Sequence, residues 1–335
     1  MKPILFVLAL LVSCGAAADY SKRPEVQGFV RDLAERHGFA EADLLSLFAR
    51  VKRTEPVLQA IQLPPEKTRS WPEYRATFIQ DGRIAAGLAF WNANQKALER
   101  AEQVYGVPPE YILGILGVET FYGRQTGRYR VLDALTTLAF DYAPRGQYFR
   151  NELENYLLLA RANGLDALSM RGSYAGAIGM PQFMPGSARR YAVDFDGDGA
   201  IDLRTNAADA IGSVANFLKE HGWQAGREVL LTARVEGEAY KPYADGRLEP
   251  RYPIAELVRS GVQIEKLTSE LEAERGTLIE LPSTRDPSEW RVGLKNFHVL
   301  TRYNRSAFYA AAVTDLAREL RARRKSAPEL EPIQE

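Results

Sequence analysis

Cysteine is almost absent from this chain, with one residue, Cys14, among 335. A single cysteine excludes a disulfide within the chain, so stabilisation beyond packing must come from another source, such as a metal. Neither sign of charge is in excess, because 43 Lys and Arg residues balance 43 Asp and Glu residues. The chain therefore has no overall field that would attract nucleic acid or an anionic membrane, and we expect no nucleic-acid partner.

The apolar run at the N-terminus is short and predicts an export signal over residues 1–18. A basic start is followed by ten apolar residues, Pro3 to Val12, which are too few for a mature membrane-spanning helix. Two cleavage sites compete: Leu11-Val12-Ser13-Cys14 resembles a bacterial lipobox, and Ala16-Ala17-Ala18 suits an ordinary signal peptidase. We favour the lipobox, because the only cysteine lies at this boundary. A periplasmic location follows, and lipid anchoring to the outer membrane through Cys14 stays open.

The rest of the chain predicts a mainly α-helical fold with a small strand-containing segment. Apolar residues recur at the helical period over most of it, whereas 229–235 and 277–281 are short β-rich runs. The end of the chain is rich in Pro and Glu, which predicts disorder. The expected divisions are an N-terminal helical region over 24–110, a helical core over 111–225, a strand-containing segment over 226–290, a helical return over 291–322 and a disordered tail over 323–335.

Glu119 stands at the end of an almost wholly apolar helical stretch, Tyr111 to Val118. Ile112, Ile115 and Leu116 precede it by seven, four and three residues, so a helix places its carboxyl on the same apolar face. An acid in such a setting would keep its proton to near-neutral pH and could act as a general acid. The alternative is a buried glutamate paired with a Lys or Arg, and this stretch alone does not decide between them.

The acidic loop over 194–205 predicts a calcium site. Its Asp residues occupy positions 1, 3, 5 and 9 of an EF-hand-type loop, and Gly199 at position 6 permits the sharp turn. Position 12 is Thr205, so the nearest replacement ligand is the carboxylate of the next helix. A polar turn without an ion is the alternative, but crowded carboxylates repel one another without a cation. We expect weak, structural Ca²⁺ binding and no cofactor for catalysis. The predicted ligands are Asp194, Asp196, Asp198, Ala200, Asp202 and Asp209.

A run of small residues from Ser173 to Ser187 lies between these two features. Small side chains let backbone approach a ligand closely, and Ser173 and Gln182 could orient one. Taken alone, the run could equally be a tight turn between helices.

Together these segments resemble the lytic murein transglycosylase B family, glycoside hydrolases related to the soluble lytic transglycosylases. The resemblance extends from about Trp71 to about Leu320. The residues that carry it are Gly117-Val118-Glu119-Thr120, Gly123-Arg124, Leu132 to Leu138, Ser173 to Pro185, the loop at Asp194, Asn296-Phe297 and Arg302 to Ser306.

The resemblance implies a lysozyme-like helical core with an EF-hand-type calcium loop, flanked by further helices and a small strand-containing segment. Glu119 matches the family's single catalytic acid and base. Residues expected to contact the sugar are Ser173, Gln182, Tyr74, Tyr148, Tyr303 and Tyr309. For each tyrosine, a ring buried in the core with its hydroxyl at the surface is the alternative.

The implied activity is non-hydrolytic cleavage of the bond between N-acetylmuramic acid and N-acetylglucosamine, which leaves a 1,6-anhydro-muramoyl end. The expected partner is the glycan strand of peptidoglycan, and we expect a monomer. A lysozyme-type hydrolase is the first alternative, for which Asp133 or Asp141 would have to supply a second carboxylate. A non-catalytic peptidoglycan-binding protein is the second.

Overall fold

The computed structural model describes residues 19–62 and 69–326. The predicted export signal with Cys14, and residues 327–335 of the predicted tail, lie outside the described residues. No helix in the described part of the chain is long and apolar enough to cross a bilayer.

The predicted mainly α-helical class is confirmed, since the described residues form fifteen α-helices. Six of them, within the N-terminal region, lead into a long apolar helix, α7. The helices are α1 (Pro24–His37), α2 (Glu41–Ala49), α3 (Glu55–Ala60), α4 (Trp71–Phe78), α5 (Asp81–Ala93), α6 (Gln95–Tyr105), α7 (Pro109–Thr120), α8 (Val131–Asp141), α9 (Gly146–Ala162), α10 (Pro185–Tyr191), α11 (Ala207–Glu220), α12 (Ile254–Arg259), α13 (Ser269–Glu272), α14 (Lys295–Tyr303) and α15 (Ala307–Ser326).

The strands form two antiparallel sheets. The first pairs β1 (Tyr129–Arg130) with β2 (Arg171–Gly172). The second has the order β4-β6-β7-β3-β5 and encloses a small core of its own that includes Leu231, Leu278 and Val292. Its members are β3 (Leu230–Val235), β4 (Tyr252–Pro253), β5 (Val262–Ile264), β6 (Arg275–Leu281) and β7 (Glu289–Gly293). The strands predicted over 229–235 and 277–281 are thus confirmed as β3 and β6.

Helix α7 lies in the main hydrophobic core, and its residues from Ile112 to Gly117 are all buried. Two glycines let α15 approach it closely. A Cβ at Gly114 would lie 2.7 Å from the carbonyl oxygen of Val313, and one at Gly117 would lie 2.7 Å from Leu316. Burial of each Ile or Leu side chain on α7 contributes roughly 1.5–3 kcal/mol. The helix that carries Glu119 is therefore a fixed element of the core.

Two predicted boundaries are corrected by the structure. Residues 291–293 belong to β7, where Val292 pairs with Leu231 of β3 and Leu278 of β6, so the helical return begins only at Lys295. Helix α15 also continues through residues 323–326, which were predicted to be part of the tail. The helix persists there because its last turn has partners, including an ion pair between Arg323 and Asp81 at 3.2 Å.

Candidate active site

The chain reverses sharply after Glu119, at the end of α7. Phe121 and Tyr122 adopt left-handed backbone conformations, with φ of 52° and 57°, and Gly123 follows with φ of 85°. Non-glycine residues with positive φ are uncommon and often lie at functional sites. The amide of Tyr122 holds the turn by donating to the carbonyl of Leu116 at 3.0 Å. The turn leaves Glu119 half-buried at the end of the helix.

Arg83, on α5, supports this turn from the side. Its guanidinium donates to the carbonyl of Gly117, one turn before the end of α7. The same group lies over the ring of Phe121, 4.7 Å from its centroid. A cation beside the last carbonyls of a helix is favourable, because those groups have no partner within the helix.

Thr120 joins the end of α7 to the small-residue run. Its hydroxyl donates to the carbonyl of Met180 at 2.8 Å and accepts from the amide of Gly123 at 3.0 Å. The side chain is completely buried. The residue next to Glu119 thus fixes both the turn and the segment that faces it.

Two tyrosines predicted from the sequence, Tyr303 and Tyr309, lie beside Glu119. Their rings are stacked, with centroids 6.2 Å apart and planes inclined by 15°. Burial, and then the negative charge of Glu119, raise the pKa of both phenols well above the usual value. The Tyr309 hydroxyl also interacts with the Glu119 carboxyl. Both phenols are therefore neutral at physiological pH and can donate hydrogen bonds.

Tyr74 belongs to the same aromatic group. It is buried on α4, with its ring centroid 5.5 Å from that of Phe308, and it contributes to the raised pKa of Tyr309. Helix α4 starts with a capping box in which the Ser70 and Glu73 side chains bind each other's backbone amides. This cap fixes the first turn of the short helix that carries Tyr74.

Gln182 and Ser173 lie in the run that contacts Thr120. The backbone of Gln182 has a φ of 52°. Its side-chain nitrogen Nε2 donates to the carbonyls of Gly179 at 2.9 Å and Thr126 at 3.1 Å. The side-chain oxygen of Gln182 accepts no hydrogen bond in the described part of the chain. Ser173 Oγ accepts from the amides of Ala175 and Ala177, which leaves its proton to donate elsewhere.

The small-residue run also contacts one of the tyrosines, since the Tyr303 hydroxyl donates a hydrogen bond to the carbonyl of Pro181 at 2.5 Å. The contacts therefore connect Glu119, the tyrosines at positions 74, 303 and 309, and Gln182 into one site. Tyr148 is the remaining tyrosine of the predicted set. That residue is 37% exposed on α9, and the Arg145 guanidinium lies 4.3 Å from its ring centroid.

The two aspartates considered for a second carboxylate serve structure instead. Asp133 binds the Arg130 guanidinium at 2.7 Å and the amide of Lys52 at 3.0 Å. Asp141 pairs with Arg23 at 2.7 Å. Both therefore anchor the N-terminal region to α8.

Sequence reasoning missed Arg83 and a buried ion-pair cluster around Asp315. Asp315 of α15 binds Arg291 of β7 at 2.6 Å and Arg75 of α4 at 2.6 Å. Burial alone would raise the pKa of Asp315, but the two arginines outweigh it and hold that pKa below its usual value. The cluster joins the small sheet to the helix that carries Tyr74. The partners are far apart in sequence, so no local pattern marks them.

The acidic loop brings together only part of its predicted ligand set. Carboxylate oxygens of Asp194, Asp196 and Asp209 lie within 4.8 Å of one another. Asp209 is fully buried, which raises its pKa. The Asp202 carboxylate instead accepts hydrogen bonds from Thr205 and from the amide of Arg204. Asp198 accepts from the amide of Ala200 at 2.8 Å. Sequence reasoning had singled out Asp209 as the replacement for position 12, and it lies in the cluster.

A buried helical core that presents one glutamate among tyrosines defines a lysozyme-like enzyme that acts on glycans. The comparisons place the chain more narrowly. Residues 21–318 match the family described as Transglycosylase SLT domain, so the chain belongs to that family.

Two relatives are similar in sequence to most of the chain. It is 41% identical over 307 residues to the membrane-bound lytic murein transglycosylase B of Escherichia coli K12, covering 89% of this chain and 83% of that protein. The soluble lytic transglycosylase SltB1 of Pseudomonas aeruginosa is 47% identical with a TM-score of 0.84, over 91% of this chain and all of that one (100%).

Two further solved structures contain ligands. The Escherichia coli lytic transglycosylase Slt35 in complex with calcium is 40% identical, with a TM-score of 0.83 over 92% of this chain and 96% of that one. Pseudomonas aeruginosa SltB3 in complex with NAG-anhNAM-pentapeptide is 31% identical, with a TM-score of 0.77 over 89% of this chain and 79% of that one.

Proposed function

We propose that this chain is a lytic murein transglycosylase in which Glu119 serves first as acid and then as base. It cleaves the β-1,4 bond between N-acetylmuramic acid and N-acetylglucosamine in peptidoglycan strands. The observation that carries the assignment is the setting of Glu119, a single carboxyl at the end of a buried helix that faces Tyr303 and Tyr309. Family membership and the murein-cleaving relatives support the same activity.

In the first step, protonated Glu119 donates its proton to the oxygen that links the two sugars. The bond from that oxygen to C1 of the muramoyl residue breaks, and an oxocarbenium-like state develops at C1. The 2-acetamido group of the substrate can stabilise C1. The tyrosine hydroxyls and the free amide oxygen of Gln182 would hold the sugar substituents, and aromatic faces suit the apolar side of a pyranose ring.

In the second step, ionised Glu119 takes the proton from the C6 hydroxyl of the same muramoyl residue. The O6 atom then bonds to C1 and closes the 1,6-anhydro ring. Glu119 returns to its protonated form, and the reaction neither consumes nor releases water. A pocket built from buried tyrosines favours this outcome, because water at C1 would compete with O6.

The hydrolase alternative is less well supported. Ordinary retaining and inverting glycosidases use a second carboxylate as nucleophile or base. Asp133 and Asp141 are both committed to arginine partners near the N-terminal helices. A single carboxyl suffices for the intramolecular route, since the substrate supplies its own nucleophile.

The proposed metal site is Asp194, Asp196 and Asp209 together, with Asp198, Ala200 and Asp202 as further ligands. Hard oxygen donors in this number suit Ca²⁺, and the cluster of three carboxylates within 4.8 Å fits such a cation. A calcium complex of the relative Slt35 supports the assignment. The ion would stabilise the connection between α10 and α11 and would take no part in the chemistry.

We further propose that the enzyme works in the periplasm as a monomer on glycan strands. A relative described as membrane-bound supports association with a membrane. Lipidation of Cys14 would provide the anchor, and mass analysis of the mature N-terminus tests it.

The proposed activity is tested by mass spectrometry of the muropeptides that the protein without residues 1–18 releases from purified sacculi. We expect products with 1,6-anhydro-muramoyl ends, each lighter by one water than the reducing form. Reducing ends would establish a hydrolase instead. Binding without release, in the presence of calcium, would favour a non-catalytic binding protein.

A further inference from the structure

The turn after Glu119 contains two consecutive non-glycine residues in the left-handed region. Phe121 has φ of 52° and ψ of 50°, and Tyr122 has φ of 57°. Such conformations are unfavourable for residues with a Cβ, and they persist only where the surroundings over-determine them. Backbone bonds supply part of the restraint, because Phe121 donates its amide to Gly117 at 3.2 Å and Tyr122 donates to Leu116 at 3.0 Å. The side chains of the turn are restrained as well.

The ring of Tyr122 is inserted between α5 and α7. A Cβ at Gly87 of α5 would lie 2.3 Å from the Tyr122 hydroxyl oxygen, and one at Gly117 of α7 would lie 2.7 Å from it. Tyr122 is buried, so the two glycines leave the space that its ring occupies. Packing therefore fixes one of the two left-handed residues.

Arg83 of α5 restrains the other, Phe121. Its guanidinium lies 4.7 Å from the centroid of the Phe121 ring and donates to the carbonyl of Gly117. A second nitrogen of the group donates to the carbonyl of Thr77 at 3.5 Å. Arg83 thus contacts the chain two residues before Glu119 and two residues after it. A displacement of the last turn of α7 would break at least one of these contacts.

This arrangement is costly for stability alone. Arg83 is half-buried and forms no ion pair in the described part of the chain, and its Nε atom is buried without a hydrogen-bond partner. Burial lowers the pKa of the guanidinium, although an arginine side chain stays charged in proteins. An apolar side chain of similar size would fill the same place without desolvating a charge. The contacts of Arg83 therefore indicate a role other than stability.

Resting on the proposed function, we infer that Arg83 is a positioning residue for Glu119. Its guanidinium holds the last turn of α7, so that the carboxyl stays where it can exchange protons with the substrate. In this role Arg83 acts through the turn rather than on the substrate. Its loss should slow the chemical step, because small displacements of a reacting group are costly, and should leave substrate binding nearly intact.

The test measures kcat and KM on soluble, uncrosslinked glycan strands. Arg83→Met keeps a long unbranched side chain without the charge and the donors. It should lower kcat about tenfold to a hundredfold and change KM by less than about twofold. Arg83→Lys keeps a cation that can donate to the Gly117 carbonyl, but it lacks the planar group over the ring, so it should recover only part of the rate.

Arg161→Met is the matched control. Arg161 also donates to a backbone carbonyl, that of His37 at 2.8 Å, and lies over an aromatic ring, 3.9 Å from the centroid of Phe39. It makes the same two kinds of contact away from the turn after Glu119, so kcat should stay at the parent value. Thermal unfolding of each variant ensures that rates are compared between folded proteins.

Near-normal kcat in Arg83→Met would overturn the inference, as would an equal loss of kcat in Arg161→Met. A rise in KM without a loss of kcat would also overturn it. If Arg83→Met does not fold, Arg83→Lys decides: a lowered kcat at unchanged KM supports the inference, and a parent-like kcat overturns it. Failure of the proposed function is read separately, since near-normal turnover by Glu119→Gln would reject the chemistry whatever the result for Arg83.

Discussion

Glu119 and the acidic loop over 194–205 place carboxylates in opposite surroundings. Glu119 lies in the last turn of a buried helix, beside the buried Tyr309 and the half-buried Tyr303. In the loop, the carboxylates accept hydrogen bonds from nearby backbone amides, as Asp194 does from Gly197 at 2.7 Å and Gly199 at 2.9 Å. Those bonds hold the pKa of Asp194 below its usual value. Backbone amides thus favour the ionised form of Asp194, whereas burial raises the pKa of the two phenols beside Glu119.

The two sites also differ in how many elements of the fold contribute to them. The loop satisfies its own carboxylates within about a dozen residues of chain, so its geometry depends on local spacing. The Glu119 site is assembled from α4, α7, α14, α15 and the small-residue run. Changes in the first should therefore alter stability, and changes in the second should alter the rate.

The sharpest test of this contrast is Glu119→Gln. We expect kcat to fall by about 10²–10⁴-fold or more, because the amide can neither donate nor accept the proton. The melting temperature should stay unchanged. Glu110→Gln is the matched control, since Glu110 lies in the first turn of the same helix and pairs with Arg321 at 3.3 Å. Near-normal turnover by Glu119→Gln would remove that residue from the mechanism.

Asp315, a buried carboxylate with a structural role, extends the comparison. Asp315→Asn leaves Arg291 and Arg75 without their shared anion, and loss of one partner in a buried pair costs about 3–5 kcal/mol. The pKa of Asp315 is held low, so its stabilisation is present above the usual carboxyl pKa of about 4 and is lost as pH falls through the folded-state value.

Urea unfolding at neutral and acidic pH measures this effect. The difference between the parent protein and Asp315→Asn should be large at neutral pH and shrink in acid. Asp32→Asn, which breaks an exposed pair with Arg36, is the control and should cost at most about 1 kcal/mol. A difference that persists undiminished in acid would show that Asp315 is not ionised in the folded protein.

Local sequence patterns predicted some residues of the two sites and not others. The apolar period before Glu119 and the spacing of the Asp residues are local signals. Glu119 lies near the end of α7, and three of the six predicted ligands, Asp194, Asp196 and Asp209, have carboxylates that lie close together. Tyr303 and Tyr309 entered only through the family resemblance, because no local pattern relates them to a residue so far away. The contact of Arg83 with α7 and the ion pairs of Asp315 could not be predicted, because they depend on tertiary contacts between distant helices and strands.

Tyr303→Phe tests the long-range part of the active site. The variant leaves the Pro181 carbonyl without its donor, which should loosen the run that carries Gln182. We expect kcat/KM to fall by about tenfold through misplacement of the substrate. Tyr156→Phe removes a comparable bond, to the Ala167 carbonyl at 2.7 Å, and should leave kcat/KM near normal. Equal effects of the two variants would reduce the role of Tyr303 to general stability.

Addition of Ca²⁺ should have the smallest effect of these changes, and the effect should be on stability. With a dissociation constant in the extracellular range of about 10⁻⁴–10⁻³ M, saturating millimolar Ca²⁺ should raise the melting temperature by about 2–4 °C. Asp194→Asn with Asp196→Asn should abolish the shift, whereas Asp43→Asn, on an exposed face of α2, should not. The rate at saturating substrate should change little. A large loss of kcat on chelation, with the fold intact, would contradict the separation of the two sites.

The most direct measurement is digestion of sacculi in water enriched in a heavy oxygen isotope, followed by mass spectrometry of the new chain ends. Attack by O6 within the same muramoyl residue predicts 1,6-anhydro ends with no heavy oxygen incorporated. Heavy oxygen at C1 of the new ends would mean that water is the nucleophile, and would contradict attack by O6 and with it the transglycosylase assignment.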